Sequence, residues 1–244
     1  MLYLTHSRAN EGTGLVFTYP YARPAVTADA LLFTIIENSL HLLLIRRQSD
    51  PFGGCWALPG GFCQENEEPG VTALRELAEE TGVRDVWMEQ LYTFGQPGRD
   101  PRGWVISAAY FALVSSDRLT PRGADDDAEA RWLPVDHLPP LAFDHDQMVA
   151  YALYRLRTKI EYSSVGFQLL TQEFTLPALQ RVYEAVLGKE IDKRNFRKKV
   201  LESGAVRPTG RTLLTGRSGV QPQLYEFTGR PFEFELPRRN GRHD

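Results

Sequence analysis

A chain of 244 residues has room for one large domain, or for a medium one and a small one. With 42% hydrophobic and 24% charged residues it has the make-up of an ordinary globular protein, and no run of about 18 apolar residues offers a membrane span, so no membrane partner is expected. The formal net charge of −3 excludes little until it is divided by region.

Residues 1–25 are mixed, with Gly12, Gly14, Tyr19-Pro20-Tyr21 and Arg23-Pro24, and read as an arm ending in a short extended segment. They turn polar too early for a signal peptide, which points to the cytoplasm. Two apolar runs follow, 26–36 and 40–45, joined by Glu37-Asn38-Ser39, the turn chemistry of a hairpin. Arg46 and Arg47 end the second run, either as a solvated strand end or as an anion contact. Cys55 and Cys63 flank Leu58-Pro59-Gly60-Gly61 in no metal-binding spacing and read as reduced, structural thiols. Two successive residues without Cβ, Gly60 and Gly61, allow that backbone to approach a ligand.

A helix is predicted over 69–81 and stops at Gly82, a C′ residue suited to the left-handed region. Val71, Leu74 and Ala78 recur at helical spacing and are expected to face the core. Glu76, Glu79 and Glu80 converge on the other side within one turn. Such crowded carboxylates repel unless a positive charge sits among them, and a hard divalent cation such as Mg²⁺ suits an all-oxygen set beside a phosphate-binding loop. Arg75, four residues before Glu79, can orient it.

Residues 86–94 and 104–114 read as strands around a Gly- and Pro-rich loop carrying Arg99 and Arg102. Residues 122–133 hold an acidic loop, with Asp125, Asp126, Asp127 and Glu129, that runs into a strand at 130–133. Pro134, Pro139 and Pro140 break the pattern, and a helix begins at Asp144 or His145 with Val149, Leu153 and Leu156 on one stripe. The histidines His6, His41, His137, His145 and His243 are scattered and receive no role.

Beyond that helix the character changes. Thr175 caps a helix with Pro177 in its first turn and a stripe of Leu176, Leu179, Tyr183, Val186 and Leu187; Gly188 ends it. Asp192 caps a shorter helix over 193–201 that buries Phe196 and Val200 and shows Arg194, Arg197 and Lys198 outward. Two short helices about a tight turn, followed by a ribbon with Arg207, Arg211 and Arg217 and a returning strand at 223–227, outline a winged helix-turn-helix. Between Lys189 and Arg217 nine bases face three acids, a local charge of +6, the footprint of binding to a phosphate backbone. Lys193, Arg194, Arg197, Lys198 and Arg211 are the candidate contacts to double-stranded DNA. The division read from the sequence is 1–144 with its arm at 1–25, a linker helix over 145–160, a winged-helix part over 161–236 and a disordered tail over 237–244.

The stretch from Gly61 through Glu67, Arg75, Glu76, Leu77, Glu79, Glu80, Gly82 and Val83 resembles the Nudix box, G-x5-E-x7-R-E-U-x-E-E-x-G-U with U apolar. The resemblance implies an α+β fold, an α/β/α sandwich with a mixed sheet, followed here by the small winged helix. It implies Mg²⁺, or Mn²⁺, held by Glu76, Glu79 and Glu80, and Glu67 as a structural residue that fixes the loop. Glu79, Glu129 and Arg75 become the catalytic candidates, with Glu129 the leading general base. The Asp-Pro-Arg-Gly loop is similar to that of Nudix hydrolases that split ADP-ribose and of their regulator relatives. It favours ADP-ribose as ligand with Arg99 and Arg102 as anion contacts; the family resemblance adds Arg47, and the glycine loop Gly60 and Gly61, as substrate contacts, with AMP and ribose 5-phosphate as products.

The whole arrangement, with FQLLTQEFTLPALQRVYEAVLGKEIDKRNFRKKVLESG after the Nudix part, resembles the Nudix-related transcriptional regulators of NAD metabolism. In that family the first domain senses ADP-ribose, the winged helix binds operator DNA, and the proteins act as homodimers. Many of them have a degraded box, whereas this chain keeps every carboxylate. The two expectations are therefore a pyrophosphatase with an added DNA-binding domain and, as the alternative, a regulator with little or no hydrolase activity.

Overall fold

A computed structural model of the chain describes residues 19–118, 130–214 and 221–234. Its centre is β1 (Ala25–Ile36), buried on both faces from Thr27 to Thr34. Glu37 and Asn38 both adopt positive φ, 50° and 64°, which gives the two-residue turn whose twist matches a hairpin, and β2 (Ser39–Arg46) returns antiparallel. β3 (Trp56–Ala57) pairs with β2, and β4 (Gly60–Phe62) pairs with β1. After α1 (Pro69–Thr81), β5 (Trp87–Phe94) lies antiparallel to β6 (Val105–Leu113), and β6 runs parallel to β1. β7 (Ala130–Pro134) closes on β2.

The alternation of side chains along β1 divides the core in two. Ala30 and Leu32 pack with Leu43, Ala112 and Val114 against Leu77 of α1. Leu31 and Phe33 pack with Leu42, Leu44 and Phe111 on the opposite face, which is covered by α2 (His145–Tyr162) through Met148, Val149, Ala152, Leu156 and Ile160. The expected sandwich of helix, mixed sheet and helix is formed.

α1 has the predicted bounds, and Gly82 ends it at φ 75°, but the expected buried stripe is wrong. Thr72, Ala73, Leu77 and Thr81 are buried, whereas Val71 and Leu74 are exposed and Ala78 is half-buried. Apolar spacing alone placed the stripe about a third of a turn off. Thr72 and Thr81 can go inside because their hydroxyls are satisfied locally, on Glu67 and on the Leu77 carbonyl.

Past α2, a 3₁₀ turn at Ser164–Leu169 and β8 (Glu173–Phe174) lead into α3 (Leu176–Leu187) and α4 (Lys193–Glu202). Thr175 Oγ1 accepts from Ala178 N and Asp192 Oδ1 accepts from Asn195 N, so both expected caps are made. β9 (Val206–Thr212) and β10 (Gln223–Phe227) form the wing, and β8 completes a three-stranded sheet. The core of this part is aromatic. Phe167, Tyr183 and Phe196 meet Phe232 and Phe234, two rings from beyond the wing that sequence reading gave no role. The same apolar cluster is continuous with the α2 side of the sheet.

Phe232 is buried against Phe167, Tyr183 and Phe196. Phe232→Ala should lower stability by about 3–5 kcal/mol, read as a shift of the urea midpoint.

Candidate functional site

Two glycines set the geometry. A Cβ on Gly60 would fall 2.5 Å from the Ala28 carbonyl oxygen and 2.8 Å from Asp29 Cα, and one on Gly61 would fall 2.3 Å from Glu76 Oε1. The missing side chains therefore admit the protein's own strand and helix, where sequence reading had given the space to a ligand. Gly60 N donates to Glu80 Oε2 at 2.9 Å, which ties the loop to α1.

On α1 the charges are arranged as an ordered network. Arg75 Nε and Nη2 reach the two carboxylate oxygens of Glu67 at 2.8 and 3.0 Å, and Glu67 also accepts from Gln64 N and Thr72 Oγ1. The hydrogen bonds from Arg75, then from Gln64 N, hold the Glu67 carboxyl down at about 2. Its expected structural role is thus visible in its partners. Arg75 Nη1 also bridges Glu76, at 2.7 Å, and Glu79, at 3.2 Å. Arg75 was expected to orient Glu79 first; its shorter bonds go to Glu67 and Glu76, and Glu79 keeps 59% of its side chain exposed.

Glu80 differs from its neighbours. Burial, with added repulsion from Glu76 and Asp29, outweighs the Gly60 hydrogen bond and pushes its carboxyl up to about 7. The three carboxylates are hard oxygen donors of the kind that suit Mg²⁺ or Mn²⁺, and their crowding marks a place where added positive charge is stabilising. They are nonetheless parted, Glu76 and Glu79 toward Arg75 and Glu80 toward the glycine loop. Among the described residues no three of His, Cys, Asp and Glu stand together as a set that could hold a metal ion.

Beside this network lies an open cleft of about 430 Å³, lined by Gly60, Gly61, Phe62, Arg47, Arg102 and Phe143, with Asp29, Arg99 and His145 deeper in. Arg47 donates to the carbonyls of Pro51 and Ser49, and its guanidinium carbon stands 4.8 Å from the Phe143 ring centroid. Burial, and next the charge of Arg102, lowers its pKa from the ordinary value, the direction expected when two cations share a cleft. Arg102 lies 4.9 Å from Phe62 and 5.2 Å from Phe143 and is paired with Asp100. Burial alone would raise the Asp100 carboxyl, but hydrogen bonds from the side chain and backbone of Arg102 prevail and hold it low.

Arg99 lines the deep part of the cleft with its guanidinium already engaged. Its Nε and Nη2 are both spent on Asp144, at 2.9 and 2.7 Å, and the side chain is 5% exposed. It faces the start of α2 rather than the opening of the cleft.

His145, passed over in the sequence, sits at the cleft floor. Its Nδ1 accepts from Leu58 N at 3.0 Å, which leaves the proton on Nε2, 3.8 Å from Asp29 Oδ1. Burial lowers its pKa, so the ring is neutral near pH 7. Asp29 in turn accepts from Ser107 Oγ. A lone histidine at a predicted helix start carries no signal that its ring will meet a loop 87 residues earlier in the chain. Glu129, the leading candidate for the general base, lies outside the described residues, as do Asp125, Asp126, Asp127 and Arg217.

On the other part, Lys193, Arg194 and Lys198 of α4 are exposed, and Lys198 has only a loose contact with Glu202 at 3.9 Å. Arg197 turns partly inward, with its Nε buried and unpaired. In the wing, Arg207 pairs with Glu226 and Arg211 with Glu173, so part of the ribbon's charge is offset within the sheet.

Residues 26–152 match the family model of the NUDIX domain, and residues 166–227 match that of the NrtR DNA-binding winged helix domain. Across 222 residues the chain is 33% identical to the ADPR responsive transcriptional repressor NtrR of Acinetobacter baylyi, covering 89% of this chain and 88% of that protein. The chain belongs to the Nudix family and carries the NrtR type of winged helix. Among solved Nudix relatives, the crystal structure of Shewanella oneidensis NrtR complexed with a 27mer DNA superposes with a TM-score of 0.78 at 38% identity, over 87% of this chain and 99% of that one. The Nudix part is also 40% identical over 129 residues to the ADP-ribose pyrophosphatase of Methanocaldococcus jannaschii, which spans 53% of this chain and 73% of that protein.

The raised Glu80 carboxyl gives a pH test. A carboxyl whose folded value lies above the unfolded one adds stability below about pH 4.5 and loses it as pH rises through about 7. Without divalent cation, the parent should lose on the order of 2 kcal/mol relative to Glu80→Gln between pH 5 and 8. Parallel stability curves in urea titrations would contradict this.

Proposed function

We propose that this Nudix protein binds ADP-ribose in the cleft of its first part and double-stranded DNA through its winged helix, acting as a homodimeric, ADP-ribose-responsive transcriptional regulator. The observation that carries the reading is the joining of an arginine-lined cleft beside an intact Nudix box to an exposed basic helix, α4, within one continuous core. The names of the relatives from Acinetobacter and Shewanella support it. The working division places the Nudix part at 1–144, a connecting helix over 145–160 and the winged-helix part over 161–236.

Arg47 and Arg102 take the pyrophosphate in this reading, since both line the cleft with guanidinia aimed at its aromatic wall. Gly60 and Gly61 shape its floor. Lys193, Arg194 and Lys198 supply contacts to DNA phosphates, and Arg211 flanks them from the wing. Selection from random duplexes with the full chain should yield a preferred sequence, and ADP-ribose should change its affinity. The alanine variants of Arg194 and Lys198 should each reduce the slope of log affinity against log salt by about 1, uniformly across sequences. Salt-dependent binding without sequence preference or response to ADP-ribose would refute the regulator.

A second reading is favoured by the box itself. Glu76, Glu79 and Glu80, now held apart by Arg75 and the glycine loop, are the donors that would gather around Mg²⁺ or Mn²⁺, and the ion would offset the charge on the pyrophosphate. Arg75 and Glu67 keep Glu76 in register with the glycine loop, and Glu129 is the proposed general base. On this reading the protein also splits ADP-ribose to AMP and ribose 5-phosphate. AMP release with Mg²⁺ by the parent, and a loss of at least about 100-fold in a Glu79→Gln, Glu80→Gln double variant, is the expected result. Binding of ADP-ribose without turnover would leave the box as a sensor.

A further inference from the structure

Three consecutive residues at the entrance to α2 are each held by a different wall of the cleft. Phe143, at φ 56°, has its ring centroid within 5.2 Å of the guanidinium carbons of both Arg47 and Arg102. A phenylalanine in the left-handed region is strained and stays there only because its surroundings demand it. Asp144 accepts two hydrogen bonds from Arg99 of the loop between β5 and β6, and Arg99 also reaches Met148 Sδ of α2 at 3.8 Å. His145 accepts from Leu58 N at the glycine loop.

From that grip, α2 runs 18 residues without a break, about 27 Å at 1.5 Å per residue. It leaves the segment matched by the NUDIX model, which ends at residue 152, and reaches the edge of the winged helix, whose match begins at 166. Its far end is as firmly held as its start. Arg157 Nε donates to the Val186 carbonyl in the last turn of α3, and Phe234 N donates to the Glu161 carbonyl. A Cβ on Gly166 would fall 3.1 Å from both Ile160 Cδ1 and Tyr183 Cε2, a tight fit where α2 meets α3. Glu184 and Gln180 then bind the backbone of Ile191, so α3 is tied to the start of the basic helix.

We propose that α2 is the coupling element between cleft and DNA-binding surface, with the Arg99–Asp144 pair as its latch. This presupposes the ADP-ribose-responsive reading given above. A diphosphate entering the cleft competes for guanidinia that are now engaged by the Phe143 ring, Asp144 and Asp100. Any gain it makes from Arg47, Arg99 or Arg102 alters the hold on residues 143–145. A rigid helix packed on α3 passes that change to α4, whereas a flexible linker would absorb it. Asp144 is thus a positioning residue, acting through α2 and not on the ligand.

The test measures, by fluorescence anisotropy, the affinity of the full chain for the duplex selected above, with and without saturating ADP-ribose, and calorimetric ADP-ribose affinity alongside. Two variants are compared with the parent: Asp144→Asn at the latch and Arg157→Met at the far end. The parent ratio of the two DNA affinities is expected in the usual allosteric range of roughly 5- to 150-fold. In each variant that ratio should fall to within about twofold of one while ADP-ribose and DNA are both still bound. A folded variant of either kind that keeps the parent ratio overturns the proposal. If Asp144→Asn does not fold, Arg157→Met alone decides. A parent that binds both ligands with a ratio of one refutes the responsive reading itself, a different result from a responsive parent with responsive variants.

Discussion

The site depends on the absence of two side chains. Gly60 lies so close to Ala28 and Asp29, and Gly61 so close to Glu76, that β1, the loop and α1 touch backbone to backbone or backbone to carboxylate. That closeness places Glu80 beside the Gly60 amide and fixes the height of α1 above the sheet. On α1 itself, Arg75 bridges Glu67, just ahead of the helix, and Glu76, its neighbour in the chain.

A second theme is internal neutralisation. Arg99 is matched by Asp144, Arg102 by Asp100, Arg207 by Glu226 and Arg211 by Glu173. Local positive charge read from sequence therefore overstates what an anion meets. Buried and half-buried pairs such as Arg99–Asp144 give conformational definition more than net stability, while the exposed pairs in the wing contribute little in salt. On α4, Lys193, Arg194 and Lys198 stay exposed to solvent.

Much of this was legible before any coordinates. The caps at Thr175 and Asp192, the turn at Glu37-Asn38 and the stop at Gly82 are local signals, and each is found as read. What could not be read is long-range. Nothing near His145 announces Leu58, nothing near Arg99 announces Asp144, and the apolar letters of α1 gave the wrong face because threonines with satisfied hydroxyls replaced Val71 and Leu74 inside. The arrangement of the three glutamates depends on where Arg75 points, which spacing along a helix does not determine.

Phe232 and Phe234 lie beyond residue 227, where the match to the winged-helix family ends, yet they close the aromatic core on which α3 and α4 rest. The family model and the unit that folds are therefore not the same length. A chain cut at residue 227 would retain every base of α4 and both strands of the wing while losing the wedge that seats them. The basic surface is written in one segment, and what holds that segment in shape is written in the next.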